Sequence, residues 1–167
     1  MTNSLSRIPN VLDLANKYKV PILADEVYEK MVLPGEEINS FGRLSEGQPV
    51  IVASGYAKMG LAPGWRLGWL VCYGRPELMV PFKKALHRVA KFTTRPTSLV
   101  LGKLPELFSE ALECLMPKMI DVQLRINIIT EELRDCPGIT VMSARGAMYA
   151  VLRIDFTRFK DFKTSTQ

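Results

Sequence analysis

Apolar and polar positions in the first half of the chain alternate between helical and strand-like spacing. Residues 11–19 place apolar side chains on one helical face and charges on the other, with Asn10 as the predicted N-cap. Three short uncharged runs follow: 22–24, 49–54 and 67–73. Runs of this kind are typical of strands covered on both faces, so we predict three interior strands.

The second half is dominated by helical spacing. Apolar residues recur on one face over 77–92, with Pro76 in the first turn. Three further helices are predicted, each opened by a proline: Pro96, Pro105 and Pro117, the last running to Arg134. Residues 138–142 and 147–154 are then predicted to pair as two strands.

Helix–strand alternation followed by helices and a strand pair indicates an α/β fold. We predict a mostly parallel sheet covered by helices for residues 1–116. The long helix that starts at Pro117 then begins a second portion, residues 117–167.

Composition excludes several classes of protein. With 47% hydrophobic and 23% charged residues among 167, the chain has a globular composition. Its longest uncharged stretch, residues 47–57, is shorter than the roughly 18 apolar residues of a membrane-spanning helix. Three cysteines without a CxxC pair, and a single histidine, argue against a disulfide framework and a metal site. The amino terminus lacks the apolar core of a secretory signal, which favours the cytoplasm, with the mitochondrion as the alternative.

The net charge of +5 gives little support for a nucleic-acid partner. Lys and Arg number 22 and Asp and Glu 17, but the densest groups of cations are interrupted by apolar residues at helical spacing. Such a pattern is typical of a solvated helix face. The positive excess is equally compatible with a small anionic ligand.

Candidate chemistry follows the predicted strands. Asp25 ends the first strand and Tyr28 comes three residues later; Ser54 ends the second, followed by Lys58 and then Arg66. Since ligands of open α/β sheets bind beyond the carboxyl ends of the strands, we expect these side chains at one edge.

These four types of side chain can together bind a single ligand. A lysine is an imine-forming nucleophile. An arginine fork holds a phosphate by two hydrogen bonds, a carboxylate keeps a pyridine nitrogen protonated, and a tyrosine hydroxyl donates to a phenolate. Together they match pyridoxal 5′-phosphate. Taken singly, each has an ordinary structural role, and Trp65 and Trp69 are interpreted as core or interface packing.

Two segments carry a specific resemblance. Residues 55–68, GYAKMGLAPGWRLG, resemble the pyridoxal-phosphate attachment motif of class I and II aminotransferases, and residues 20–29, VPILADEVYE, resemble the segment of that family that contacts the cofactor ring. Together with the motif GAMY at 146–149, these two segments resemble the sequences of the tyrosine aminotransferase branch in particular. The resemblance covers residues 4–162 and implies a fold type I transferase.

The resemblance implies a role for each candidate. Lys58 would bond covalently to the cofactor and then move a proton at the substrate α-carbon as the catalytic residue. Asp25 would pair with the ring nitrogen, Tyr28 with the ring oxygen and Arg66 with the phosphate. Gly55 stands where many relatives have a phosphate-binding serine, so Ser54 is the candidate substitute.

The implied reaction passes the amino group of an amino acid, tyrosine or another aromatic one, to a 2-oxo acid such as 2-oxoglutarate. The family implies a homodimer and implies neither nucleic acid nor membrane as a partner. Residues 1–116 would be the central part of the large cofactor-binding domain, and 117–167 the interdomain helix and start of the small α+β domain.

Family members are longer than this chain. The resemblance places the family's phosphate loop, ring-stacking aromatic residue and Asn-Pro stretch before residue 1, and its substrate-carboxylate arginine after residue 167. We therefore expect these 167 residues alone to bind cofactor weakly and to transaminate poorly or not at all. The alternatives are alanine transamination, carbon–sulfur lyase chemistry on the same cofactor, and an inactive remnant or interaction module.

Overall fold

A computed structural model describes residues 4–93 and 96–159. Its elements follow in this order: α1 (Ser4–Tyr18), β1 (Ile22–Asp25), β2 (Val50–Gly55), α2 (Tyr56–Met59), β3 (Gly68–Tyr73), α3 (Pro76–Val89), α4 (Ser98–Gly102), α5 (Leu104–Glu132), β4 (Ile139–Val141) and β5 (Leu152–Ile154). Two 3₁₀ turns, Pro63–Trp65 and Phe156–Arg158, complete the set.

The first three strands form one mixed sheet in the order β1-β2-β3. β1 runs parallel to β2, with Asp25 opposite Ala53, and β3 runs antiparallel to β2, with Gly68 opposite Gly55. The predicted α/β class is confirmed, although among the described residues only one of the two strand pairs in this sheet is parallel.

The burial of this sheet differs from strand to strand. Ala24, Val50 and Val52 form its buried cluster, against which Leu12 of α1 and Phe41 of the β1–β2 connection pack. The prediction of strands covered on both faces holds for β2, which is buried along almost its whole length. It is wrong for β1 and β3, where Leu23 is 70% and Leu70 49% exposed. β2 has a neighbour on each side, whereas β1 and β3 each have one among the described residues.

Prolines mark the starts of some helices as predicted, since Pro76 lies in the first turn of α3, but they do not mark all of them. α1 begins at Ser4, so Asn10 lies within the helix and is not its N-cap. α5 is continuous from Leu104, so Pro105 lies in its first turn and Pro117 does not start a new helix. Proline has a helix-compatible φ, and at an interior position it removes one backbone donor without necessarily ending the helix. The buried positions Ala111, Leu115 and Met119 continue at a spacing of four across Pro117.

The chain divides into two compact units. Of the described residues, the first unit holds those up to Lys30 together with those between Ile38 and Leu112. The second unit holds Met31–Glu37 and the described residues from Glu113 onward. The last residues of the predicted 117–167 portion, 160–167, lie outside the described residues, and the assignment of 1–116 and 117–167 to two domains stays a prediction.

In the second unit, β4 pairs antiparallel with β5, which confirms the predicted strand pair. The second strand of this pair, β5, is shorter than predicted and begins only at Leu152. The first residues of the predicted strand pair with another segment: Gly146 bridges to Val32, and the amide of Ala147 donates to the carbonyl of Met31 at 2.7 Å.

None of the helices that the structure describes combines the length and the apolar character needed to cross a bilayer.

Candidate functional site

The predicted site residues meet at one edge of the three-stranded sheet. β1 and β2 are parallel, so their carboxyl ends lie at the same edge of the sheet. There Asp25 pairs with Ala53, the residue that precedes Ser54. The amide of Glu26 extends the pairing by donating to the carbonyl of Ala53 at 2.8 Å. The segment that carries Tyr28 follows directly as a turn.

Lys58 reaches this edge because α2 follows β2 without a connecting loop. Its ammonium nitrogen lies 5.3 Å from the centroid of the Tyr28 ring, a distance at which a cation is attracted to an aromatic face. Both side chains are half-buried. The structure thus brings together the amine and the phenol that the sequence places 30 positions apart.

Arg66 comes to the same edge from the third strand. β3 is antiparallel to β2 and therefore starts where β2 ends; the amide of Tyr56 donates to the carbonyl of Leu67, the neighbour of Arg66, at 3.0 Å. Arg66 has left-handed backbone geometry, with φ at 51°, and its guanidinium donates to the carbonyl of Pro63 at 3.1 Å. The side chain is exposed and can bind an anion at the sheet edge.

Asp25 and Ser54 differ in their availability. Asp25 is exposed, and one carboxylate oxygen accepts a long 3.4 Å hydrogen bond from the amide of Val27. Ser54 is 8% exposed, and its hydroxyl lies 3.2 Å from a carboxylate oxygen of Glu29 and 3.4 Å from the carbonyl of Glu26. Because a hydroxyl has one hydrogen to donate, contact between Ser54 and a phosphate as donor requires it to leave these acceptors.

Glu26 and Glu29 are structural parts of the site that the sequence interpretation did not assign. One carboxylate oxygen of Glu26 accepts from the amide of Phe41 at 2.8 Å. The other is buried and has no hydrogen-bond partner in the part of the chain that the structure describes. The signal in the sequence was their position: Glu26 directly follows the strand-ending Asp25, where polar residues of α/β sheets gather.

Aromatic side chains pack around Tyr56, two residues before Lys58. The ring of Tyr56 is stacked on Trp65, with centroids 5.3 Å apart and planes 4° apart, and contacts Phe108 edge-on at 6.0 Å. Trp69 contacts Phe108 as well, at 5.2 Å. The packing role predicted for both tryptophans is borne out by these contacts, although Trp65 stays 40% exposed.

Within residues 4–93 and 96–159, no three side chains of His, Cys, Asp or Glu cluster in a way that could hold a metal ion.

The chain matches one protein family over almost its whole length. Residues 2–164 match the model of the family described as aminotransferase class I and II. The chain belongs to the class I and II aminotransferases. A tyrosine aminotransferase of Caenorhabditis elegans is 33% identical over 153 residues, which are 91% of this chain and 33% of the relative.

Solved aminotransferases share the fold. An alanine aminotransferase from Pyrococcus furiosus superimposes with a TM-score of 0.75 at 28% identity, covering 93% of this chain and 39% of that one. A tyrosine aminotransferase from Leishmania infantum gives a TM-score of 0.82 at 20% identity, covering 97% and 40%. The predicted fold type I architecture is confirmed. The chain spans about a third of the length of the curated relatives it matches.

Proposed function

We propose that this chain is the lysine-bearing part of a pyridoxal-phosphate-dependent aminotransferase. The observation that carries the proposal is the position of the Lys58 amine, 5.3 Å from the Tyr28 ring at the carboxyl ends of the strands that carry Asp25 and Ser54. Family membership supports the same reaction class.

The donor set fits the cofactor. The amine of Lys58 suits an aldehyde, the exposed carboxylate of Asp25 suits a protonated ring nitrogen, and the guanidinium of Arg66 suits a phosphate. Tyr28 offers a hydroxyl for the ring oxygen. Ser54 fits less well as a phosphate donor, because its hydroxyl is directed at Glu29.

When bound, pyridoxal phosphate supplies an aldehyde that combines with amines and a ring that accepts electrons from the α-carbon. The contribution of the chain is orientation and proton transfer. Lys58 Nζ would hold the cofactor and would move a proton at the α-carbon of the substrate. Asp25 would keep the ring nitrogen protonated by its charge, while Arg66 and Tyr28 would fix the orientation of the ring.

The proposed amino donor is tyrosine or another aromatic amino acid, and the proposed acceptor is a 2-oxo acid such as 2-oxoglutarate. The 33% identity with the tyrosine aminotransferase of C. elegans supports this choice. A homodimer is proposed as the working form, in the cytoplasm or the mitochondrion.

Titration with pyridoxal phosphate tests the proposal. We expect a saturable absorbance band in the visible or near-ultraviolet, and borohydride reduction should fix the cofactor to the peptide that contains Lys58. Lys58→Ala should abolish both signals, whereas Lys83→Ala, which removes an exposed lysine of α3, should leave them intact. Labelling that survives in Lys58→Ala would contradict the proposal, and so would the absence of a saturable band.

Turnover tests the substrate. Turnover of tyrosine with 2-oxoglutarate, expected to be slow for these 167 residues alone, should give glutamate and should require Lys58. Cofactor binding without exchange of any amino group would mean that these 167 residues are an inactive remnant or an interaction module.

A second candidate substrate is alanine. It is favoured by the 28% identity with the alanine aminotransferase of P. furiosus across 93% of this chain. Faster glutamate formation from alanine than from tyrosine would establish it. Release of pyruvate and ammonia from a sulfur amino acid, without a 2-oxo acid, would instead indicate a carbon–sulfur lyase.

A further inference from the structure

The stack of Tyr56 on Trp65 joins the two segments that carry the proposed cofactor-binding cations. Tyr56 lies two residues before Lys58 and opens α2, while Trp65 directly precedes Arg66 at the end of a 3₁₀ turn. The two rings are nearly parallel, 4° apart, at a centroid distance of 5.3 Å. Contact between the rings therefore links the backbone of Lys58 to the backbone of Arg66.

Tyr56 is fixed from several sides. It is 4% exposed, and its hydroxyl donates to the carbonyl of Leu107 at 2.9 Å. Gly60 leaves the room that the ring occupies, since a Cβ at that position would lie 2.0 Å from a ring carbon. The tyrosine is thus a rigid support on which Trp65 can be placed.

The turn that carries Trp65 is short and bonded within itself. The amide of Trp65 donates to the carbonyl of Ala62 at 3.2 Å, and the amide and guanidinium of Arg66 both donate to the carbonyl of Pro63. Arg66 follows the last residue of this turn and has left-handed backbone geometry, so the direction of its side chain depends on where the turn ends. A shift of Trp65 would be passed to Arg66 because the two residues are adjacent.

We propose that Tyr56 and Trp65 are positioning residues that set the distance between the Lys58 amine and the Arg66 guanidinium. The inference deepens the proposed function and rests on it. A ligand bonded to Lys58 gains from Arg66 only if its phosphate arrives where the guanidinium is held, so the stack favours ligands that carry both an aldehyde and a phosphate at that distance.

Pyridoxal phosphate and pyridoxal differ only in the phosphate and therefore separate this role from general packing. Loss of the stack should raise the Kd for pyridoxal phosphate by roughly tenfold, the effect of one charge-assisted interaction. The Kd for pyridoxal should rise by less than about twofold, because pyridoxal gains nothing from Arg66. A purely structural role would raise both constants by the same factor.

The experiment uses the purified protein and absorbance titrations with the two ligands. Trp65→Leu and Tyr56→Leu each remove one ring of the stack, and Trp65→Phe, which keeps an aromatic face, should restore most of the preference for the phosphorylated ligand. Trp69→Phe is the matched control, since Trp69 contacts Phe108 and takes no part in the stack. Circular dichroism confirms that each variant is folded.

Equal rises of both constants in the two Leu variants, or an unchanged preference for the phosphorylated ligand, would overturn the inference and leave the proposed function standing. If the unsubstituted protein shows no saturable band with pyridoxal phosphate, the proposed function fails and the inference fails with it. If Trp65→Leu does not fold, Tyr56→Leu decides the question from the other side of the stack.

Discussion

Glu26 connects the end of β1 to three other segments. Its amide donates to Ala53, its carbonyl accepts from the amide of Glu29, and its carboxylate accepts from the amide of Phe41. The second carboxylate oxygen is buried without a hydrogen-bond partner in the described residues. One favourable contact and one unfavourable burial thus meet in a single side chain.

Substitution of Glu26 measures which of the two prevails. We expect Glu26→Ala to lower the free energy of unfolding by about 1 kcal/mol, because the amide of Phe41 loses its acceptor. Glu26→Gln keeps an acceptor oxygen and should cost less. Urea denaturation provides the measurement. An alanine variant as stable as the unsubstituted protein would mean that the buried oxygen costs as much as the bond contributes.

Asp155 gives a prediction about pH. The side chain of Thr157 donates to its carboxylate at 2.7 Å and the amide of Thr157 at 3.1 Å, and these two bonds, the side-chain bond first, lower the pKa of Asp155. The charged form is therefore favoured in the folded state. The stability it contributes is present above the ordinary carboxyl pKa and is lost as the pH falls through the lowered value.

Carboxyl NMR titration of Thr157→Val tests this assignment. We expect the pKa of Asp155 to rise toward its ordinary value, because the larger of the two contributions is removed. Thr157→Ser keeps the hydroxyl and should retain most of the shift. An unchanged pKa in the valine variant would show that the hydroxyl does not cause it.

At the scale of elements, α2 is four residues long and depends on its surroundings for its position. A helix this short gains little stability from its own hydrogen bonds. The buried ring of Tyr56 and the bare Cα of Gly60 fit together at its two ends, and the placement of Lys58 depends on that fit.

Gly60→Ala should therefore be costly although its φ of −92° is open to alanine. The added methyl would overlap the Tyr56 ring, and we expect a loss of about 1–3 kcal/mol in the free energy of unfolding, the usual range for overpacking. Gly64→Ala is the matched control, since a Cβ there meets nothing within 4 Å. Thermal unfolding that shows equal stability for the two variants would contradict the prediction.

At the scale of the whole molecule, residues far apart in the chain are joined by Arg145. Its guanidinium donates to a carboxylate oxygen of Glu36 at 2.6 Å and to the carbonyl of Glu37 at 2.7 Å, and its carbonyl accepts from the amide of Leu33. These bonds span more than a hundred positions of the sequence. They hold the segment after β1 within the second unit.

Loss of the Arg145 side chain should loosen that segment. We expect Arg145→Ala to speed hydrogen exchange at the amide of Leu33 by roughly fivefold, equivalent to about 1 kcal/mol of local stability. Glu36→Gln, which keeps an acceptor but loses the charge, should have an intermediate effect. Exchange at Leu33 that is the same in all three proteins would show that the backbone bridge alone holds the segment.

The sequence by itself determined the order of the strands, the α/β class and the positions of Asp25, Tyr28, Lys58 and Arg66 relative to the strand ends. Each of these depends on neighbouring residues: periodicity fixes an element, and a side chain that ends a strand lies at the edge of its sheet.

Only the tertiary structure decided the contacts between distant residues. Glu26 meets Phe41, Tyr56 meets Leu107 and Arg145 meets Glu36 across 15, 51 and 109 positions. The same kind of contact explains the failed predictions. Helix α5 continues through Pro117 because its buried face continues. Strand β5 is shorter than predicted because residues 145–147, which precede it, pair with residues 31–33 instead. Packing and long-range hydrogen bonds outweighed the local conformational preference at these positions. Such contacts cannot be predicted from a short stretch of sequence, because their two partners lie far apart in the chain.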